Sequence, residues 1–497
     1  MSQNSPGPRP SRVTADVVVC TPGEEHAARN TFLDVVDGRI AADVHAEPDV
    51  LLDAPGTAAI PSLGNGHDHG RPVSPLAFGA VDGPLESWLT AVRQMPRFDP
   101  EAAATVFFGR LLASGFTATM HLDRPGEPQT LVESLTMVGR TAATMGMAAA
   151  IAVPMANRRN LLYADDDATT EALRGCGYAG DPSQFLPNSI ASVEEQMATV
   201  DAIADEVEDG RVSVQYGPQG PQWVSDDLLE AVADASLRSG RRVHMHVFET
   251  FRQRVWADDE YPAGLIPHLD ALGLLSERLS IAHGVWLRPD ELELLAERGV
   301  SIVVNSTSNL RLRSGTAPMA AMLAAGVGVA TGLDGLGFDD DVDGFRETRL
   351  AHLLQAGTGL EDVVSARDCF RAAMDQAHRV VRGVAGPWGF AEGAPADIAL
   401  LDRDRLRADL VVDVSDDELI RARATASHVK HVISGGHVVV RDGRVLTADV
   451  DEADKLINEQ MMASADELSR QAIDVAALQQ AQRRYYGKAA PAEGLEQ

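Results

Sequence analysis

Eight short apolar runs recur along the middle of the chain, separated by longer stretches whose apolar residues return at helical spacing. They begin at AAIPSL and continue with FTATMHL ending at Leu122, AAAIAVPM ending at Met155 and VSVQYGP ending at Pro218. RVHMHVF ends at Phe248, LSIAHG at Gly284, VSIVVN at Asn305 and GVGVATGLD at Asp334. Short continuous apolar runs bounded by turn residues read as buried strands. The intervening EAAATVFFGRLLASG, IASVEEQMATVDAIADEVEDG, SDDLLEAVADASLRSG and PDELELLAERG read as amphipathic helices. Several open on Ser, Asp or Pro and close on Gly, the start and stop signals of helices. Strands alternating with helices build parallel βαβ units. Eight such units predict an α/β fold of the (β/α)8 TIM-barrel type in preference to an open doubly wound sheet. No Gly-x-Gly-x-x-Gly follows the first run, which argues against a dinucleotide site.

The flanks follow a different pattern. VTADVVVCTPG, FLDVVDGRIAADV and DVLLDAPG precede the first barrel run, and ADIALLD and ASHVKHVISGGHVVVRDGRVL follow the last helix. These are short strands with Asp-Gly turns, and neither flank has enough of them to stand alone. The two ends are therefore expected to form one small composite β-sandwich domain. The predicted organisation is 1–58 and 389–450 for its two halves, 59–388 for the catalytic barrel and 451–497 for a helical tail that packs on the barrel or on another subunit.

Composition narrows the function. A net charge of -30 over 497 residues disfavours nucleic acid and anionic membrane surfaces as partners, and leaves a small neutral or cationic substrate. The cysteines, Cys20, Cys176 and Cys369, are odd in number and widely spaced, which argues for a reducing compartment over a disulfide framework or a thiolate metal cluster. The polar N-terminus carries no apolar signal core and no run is long enough to span a bilayer. The expectation is a cytoplasmic protein, assembled as a homo-oligomer.

Chemistry-bearing residues gather where a parallel barrel keeps its active site, at the C-terminal ends of the strands. The first run leads into GNGHDHG with His67 and His69, the second ends at His121, the fifth carries His244, His246 and Glu249, the sixth ends at His283 and the eighth at Asp334. Six of the 14 histidines thus fall in a small part of the chain. In an extended segment His67 and His69 share a face, as do His244 and His246, although two ligands from the fifth strand are not required. Imidazole and carboxylate donors without thiolate suit zinc or iron better than magnesium or calcium. A catalytic ion of this kind keeps one open position, where it lowers the pKa of water towards about 7. Glu249 lies three residues beyond His246, so it can stand above the ion as a proton shuttle without binding it. The three lysines, Lys430, Lys455 and Lys488, all lie outside the predicted barrel, so no carboxylated barrel lysine bridges two metals. One divalent ion per chain is the simpler expectation.

Taken together, PSLGNGHDH, HMHVFET, LSIAHGVWL, NSTSNLRLRSG and GVGVATGLDG resemble the motifs of the amidohydrolase superfamily. Within it they are similar to the aminohydrolase and chlorohydrolase branch that includes cytosine deaminase, guanine deaminase and triazine hydrolases. The resemblance implies that His67, His69, His246 and Asp334 bind the metal, Zn2+ or alternatively Fe2+. It implies Glu249 as proton shuttle and His283 as the group that polarises the attacking water or the developing oxyanion, with Asp334 helping to deprotonate that water. His244 then has no ligand role, and is expected to be a buried histidine bonded to a neighbouring strand. The implied reaction is hydrolytic deamination of a purine, pyrimidine, pterin or triazine ring, releasing ammonia. Displacement of chloride or an alkylamine from a triazine-like ring, or opening of a cyclic amide, are alternatives that use the same site.

For the substrate, loops after the strands offer His121, Arg158, Gln219, Gln222, Trp223 and Asn309, with Arg124, Arg159, Asp339 and Asp340 as further polar groups. A Trp beside amide side chains can stack on a flat heterocycle and bind its edge, and an arginine can clamp an anionic substituent. Packing over the barrel rim and surface ion pairs are the competing readings. Trp88 in PLESWL is expected to be buried at a helix start.

Overall fold

The computed structural model describes residues 10–487 apart from 23–30, 43, 124–129, 159–160, 165, 187–189, 336, 338–339 and 384–385. Arg124, Arg159 and Asp339 lie outside the described residues. Eight parallel strands follow one another in sequence order: Leu63–Asn65, Phe116–His121, Ala148–Met155, Val212–Pro218, Val243–Val247, Leu279–His283, Ser301–Val304 and Gly328–Thr331. Backbone hydrogen bonds from Gly66 N–H to Thr331 O at 2.9 Å and from Asp334 N–H to His67 O at 3.0 Å join the last strand to the first. The (β/α)8 barrel is thereby closed.

The four helices read from the sequence form where their caps require. Asp99 caps Pro100–Ala113, Ser192 caps Val193–Val207 with Glu195 completing a capping box, and Ser225 caps Asp226–Ser239. Pro289 opens Pro289–Glu297, where a missing N–H costs nothing. Their apolar faces and the strands form the main core, with Phe108, Leu111, Ile151, Val200, Leu229, Ile281 and Ile302 fully buried.

The first predicted strand is split between two sheets. Its leading residues end the strand Asp49–Pro61, which pairs antiparallel with Ile398–Asp402; only Leu63–Asn65 enters the barrel. Pro61 has no N–H to continue a ladder, and Ser62 N–H instead reaches Asp397 O at 3.1 Å. The Asp49–Pro61 pairing is where the chain ends meet. Four N-terminal strands and four C-terminal strands make one continuously hydrogen-bonded eight-stranded sheet around it. The Asp-Gly turns are as expected: Asp37 and Gly38 have φ of 51° and 72°, and Asp442 and Gly443 have 50° and 74°, the paired positive values of type I′ hairpins.

The tail is a single helix, Val450–Tyr486, lying against the barrel. Ile457 packs on Ala102 and Val106, Val475 on Leu85 and Trp88, and Leu478, Ala481 and Tyr486 on Leu161, Leu162 and Leu173. Gln482 ties two active-face segments together, accepting from Thr90 Oγ1 at 2.8 Å and donating to Leu161 O at 3.1 Å. Trp88 is buried in the helix Leu85–Val92, its indole N–H donating to Ala80 O.

Behind the seventh and eighth strands, Glu347 is buried and accepts from the backbone N–H and hydroxyl of Thr307. Burial outweighs those bonds and raises its pKa from 4.5 to about 7. The unfolded chain therefore loses this proton first. Its contribution to stability is full below about pH 4.5 and is lost as pH rises through 7. Glu347→Gln is expected to narrow the fall in melting temperature between pH 5 and pH 8, by up to about 3 kcal/mol of unfolding free energy; an unchanged difference between the two pH values counts against the assignment.

Candidate functional site

At the C-terminal mouth of the barrel, side chains from four strands meet. His67 and His69 lie in the extended segment just beyond the first strand, His246 in the fifth, His283 at the end of the sixth and Asp334 beyond the eighth. One ligand atom from each of His67, His69 and His246 lies within 4.8 Å of the others, and the same holds for His67, His283 and Asp334. Asp334 Oδ1 is 3.2 Å from His67 Nε2 and 3.1 Å from His69 Nε2. The rings of His69 and His246 stack at 5.5 Å, as do those of His246 and His283.

The backbone that carries these groups is held in costly conformations. His283 and Asp334 have φ of 74° and 58°, values that side-chain-bearing residues adopt at on the order of 1–3 kcal/mol. Neighbouring hydrogen bonds hold them there. Asn65 Oδ1 accepts from Leu333 N–H, while its amide donates to Asp68 Oδ2, and Asp68 Oδ1 accepts from Gly70 N–H. Gly332 is required by close approach: a Cβ there would lie 2.4 Å from Asn305 Oδ1 and 2.8 Å from His67 N. Ser308 Oγ donates to Asp334 Oδ2, leaving Oδ1 to face the histidines.

Burial sets His67, His246 and His283 apart from Asp334. Burial lowers His67 to about 4, drives His246 well below its ordinary value and lowers His283. Burial opposes ionisation of Asp334, but its contacts with the imidazoles of His67 and His69 prevail and hold it well below the usual carboxylate range. His246 Nδ1–H donates to Gln219 O at 2.6 Å, and His283 Nδ1–H to Asn309 Oδ1 at 2.9 Å, so both present a bare Nε2 to the cavity. His67 Nδ1 is engaged by His244 at 2.8 Å, and its buried Nε2 has no hydrogen-bond partner. A neutral imidazole lone pair facing a carboxylate oxygen at 3.2 Å is repulsive unless a cation lies between them. Three imidazoles and one carboxylate fit a divalent ion.

Glu249 stands apart from the grouping, with Oε2 3.7 Å from His283 Nε2. Its pKa is raised well above the ordinary value, first by burial and then by the charges of Asp334 and Glu86. It therefore retains a proton to higher pH than an exposed glutamate. Its backbone N–H donates to Gln253 Oε1 at 2.7 Å, which fixes the start of the helix Phe251–Glu260.

The expected substrate residues divide. Gln219 enters through its main-chain carbonyl and Asn309 through His283, so both orient ring nitrogens. His121 is buried against Phe107, over Gly70, on the wall of a cavity of about 1220 Å³ also lined by Arg71, Phe98, Met137 and Gln471. Gln222 is buried, and Trp223 is half-buried 6.5 Å from the Tyr163 ring. Arg158 faces Glu260 at 3.9 Å and Asp340 pairs with Arg311 at 2.7 Å, the surface ion-pair reading for both. Sequence reasoning missed Glu86, which is buried beside Glu249 and accepts from Thr250 Oγ1 at 2.6 Å. An acid in the first turn of a helix is ordinary, so nothing in PLESWL signalled burial.

A family model described as the amidohydrolase family matches residues 58–439. This chain belongs to the amidohydrolase family. A 5-methylthioadenosine/S-adenosylhomocysteine deaminase of Halobacterium salinarum is 30% identical over 459 residues, 88% of this chain and 94% of that one. A 5′-deoxyadenosine deaminase of Methanothermobacter thermautotrophicus is 33% identical over 268 residues, 52% of this chain and 60% of that one. The crystal structure of an adenosine deaminase from Xanthomonas campestris with bound zinc superposes with a TM-score of 0.75 at 22% identity, covering 94% of this chain and all (100%) of that one. An atrazine chlorohydrolase from Arthrobacter aurescens complexed with zinc gives 0.73 at 21% identity, covering 91% and 99%. These two structures share the fold of this amidohydrolase.

The opposed lone pairs at the site make a direct prediction. Adding a divalent metal to chelator-stripped protein is expected to raise the melting temperature, by about 4 kcal/mol of stabilisation at a thousandfold excess over Kd. In His67→Ala the rise should be lost; a full rise in that variant rules out an ion at this cluster.

Proposed function

We propose that this amidohydrolase holds one Zn2+ per chain through His67, His69, His246 and Asp334 and hydrolytically deaminates an amino-substituted nitrogen heterocycle, specifically the adenine ring of a nucleoside. The observation that carries the chemistry is Glu249: a buried carboxyl with a raised pKa, beside the ligand cluster but outside it. The substrate class is supported by the relative from Halobacterium salinarum, matched over nearly its whole length. A cavity of about 1220 Å³ lined by Gly70, Arg71 and His121 leaves room for a substituent on the ring.

An ion bound here supplies Lewis acidity that brings a coordinated water within reach of deprotonation near neutral pH. The chain's own groups do the rest. Asp334 is the anionic base, and His283 presents a bare Nε2 because its Nδ1–H is committed to Asn309. Glu249 gives its proton to the ring nitrogen next to the amino-bearing carbon, which makes that carbon electrophilic. Reloaded with a proton from the attacking water, Glu249 then passes it to the departing amine, so that water and the amino heterocycle become the oxo heterocycle and ammonia. This reading keeps the enzyme cytoplasmic and homo-oligomeric. No disulfide joins its described cysteines, and no described helix is long and apolar enough to cross a membrane.

The test is ammonia release from adenine nucleosides, guanine, aminopyrimidines, pterins and aminotriazines, with metal content measured on the same sample. Ammonia from the adenine nucleosides with about one Zn2+ per chain is the expected result. A full metal site that yields chloride, an alkylamine or a ring-opened product instead would replace deamination by that reaction. Glu249→Gln should keep its metal and lose roughly 100-fold or more in kcat, whereas Asp334→Asn should lose both metal and turnover. Full activity in Glu249→Gln removes the shuttle role.

A further inference from the structure

We propose that His244, Ser280 and the carbonyl of Val243 form a positioning relay that sets the ring tautomer of His67 and, through it, the metal affinity of the site. The inference rests on His67 being a metal ligand. His244 lies two residues before His246 on the same inward face of the fifth strand, hence one level deeper in the barrel. Its Nε2 is 2.8 Å from His67 Nδ1 and its Nδ1 is 2.7 Å from Ser280 Oγ, on the residue directly opposite it in the sixth strand. Ser280 Oγ is in turn 3.4 Å from Val243 O. His67, His244 and Ser280 all have 0% exposure, so solvent does not compete for any of these bonds.

The polarity of the chain follows from its far end. A carbonyl only accepts, so Ser280 donates to Val243 O and uses its lone pair to accept from His244 Nδ1–H. His244 Nε2 is then bare and accepts from His67 Nδ1–H. This leaves His67 Nε2 without a proton and aimed at Asp334 Oδ1, as a metal ligand must be. The reverse polarity would put a proton on His67 Nε2, where the ion has to bind. Both nitrogens of His244 are occupied, so it is not itself a ligand. It acts through His67, tying the loop after the first strand to the fifth and sixth strands across the barrel interior.

The experiment is competition for Zn2+ between a chromophoric chelator and the chelator-stripped full-length chain, comparing wild type with His244→Phe, His244→Gln, Ser280→Ala and His67→Ala. His244→Phe fills the space without an acceptor and should weaken Zn2+ binding about 10–100-fold. His244→Gln, whose amide oxygen can accept from His67 Nδ1–H, should recover most of that loss, which a purely space-filling role would not require. Wild-type affinity in His244→Phe overturns the relay. If that variant does not fold, Ser280→Ala decides: a several-fold weaker affinity supports the relay, an unchanged one overturns it. His67→Ala separates the two levels of inference. Wild-type binding in His67→Ala defeats the ligand assignment itself, whereas loss there with full binding in His244→Phe defeats only the relay.

Discussion

Two backbone hydrogen bonds, Gly66 N–H to Thr331 O and Asp334 N–H to His67 O, carry the architecture of this amidohydrolase. They close the barrel, and they also place the two ends of its functional constellation beside each other. His67 and Asp334 are separated by most of the barrel in sequence, yet one ladder rung links the carbonyl of the first to the amide of the second. Gly332 keeps that rung short, because any side chain there would meet Asn305 and the His67 backbone. A parallel barrel thus converts closure of its sheet into convergence of its ligands.

The second organising feature is the removal of water from groups that would otherwise be charged. The chain carries a formal charge of -30, but burial lowers the pKa of His67 and His246 at its site and raises that of Glu249. Asp334 is the exception, an anion sustained by the histidines around it. One carboxylate held low and another held high, in one cavity, is the arrangement that separates a metal-facing base from a proton donor. The cost is borne by strained backbone at His283 and Asp334, and the side-chain network of Asn65, Asp68, Ser308 and Asn309 keeps it in place.

Around this centre the chain ends act as supports. The mixed sheet joins N-terminal to C-terminal strands beside the barrel, and the terminal helix lies over the segments that follow the first and third strands. Its last turn brings Tyr486, whose hydroxyl accepts from Tyr163 N–H at 2.9 Å, next to the network of Glu86 and Thr250 that adjoins Glu249. The tail is a packing element of the chain's own fold.

Periodicity alone located the barrel strands after the first, the capped helices between them and the composite nature of the flanks, because each depends on local rules: alternation, N-cap chemistry and Asp-Gly turns; the split of the first run between two sheets was not legible in it. The histidines and acids at strand ends were legible for the same reason, since parallel topology dictates where strand ends meet. Tertiary structure alone decided which atoms of those residues face one another. Whether Asn309 touches a substrate or orients His283, whether Arg158 clamps an anion or pairs with Glu260, and that His244 reaches His67 all depend on angles between distant strands. The burial of Glu86 belongs with them: a helix start reads the same in sequence whether it faces solvent or a catalytic carboxyl, and only packing removes the water.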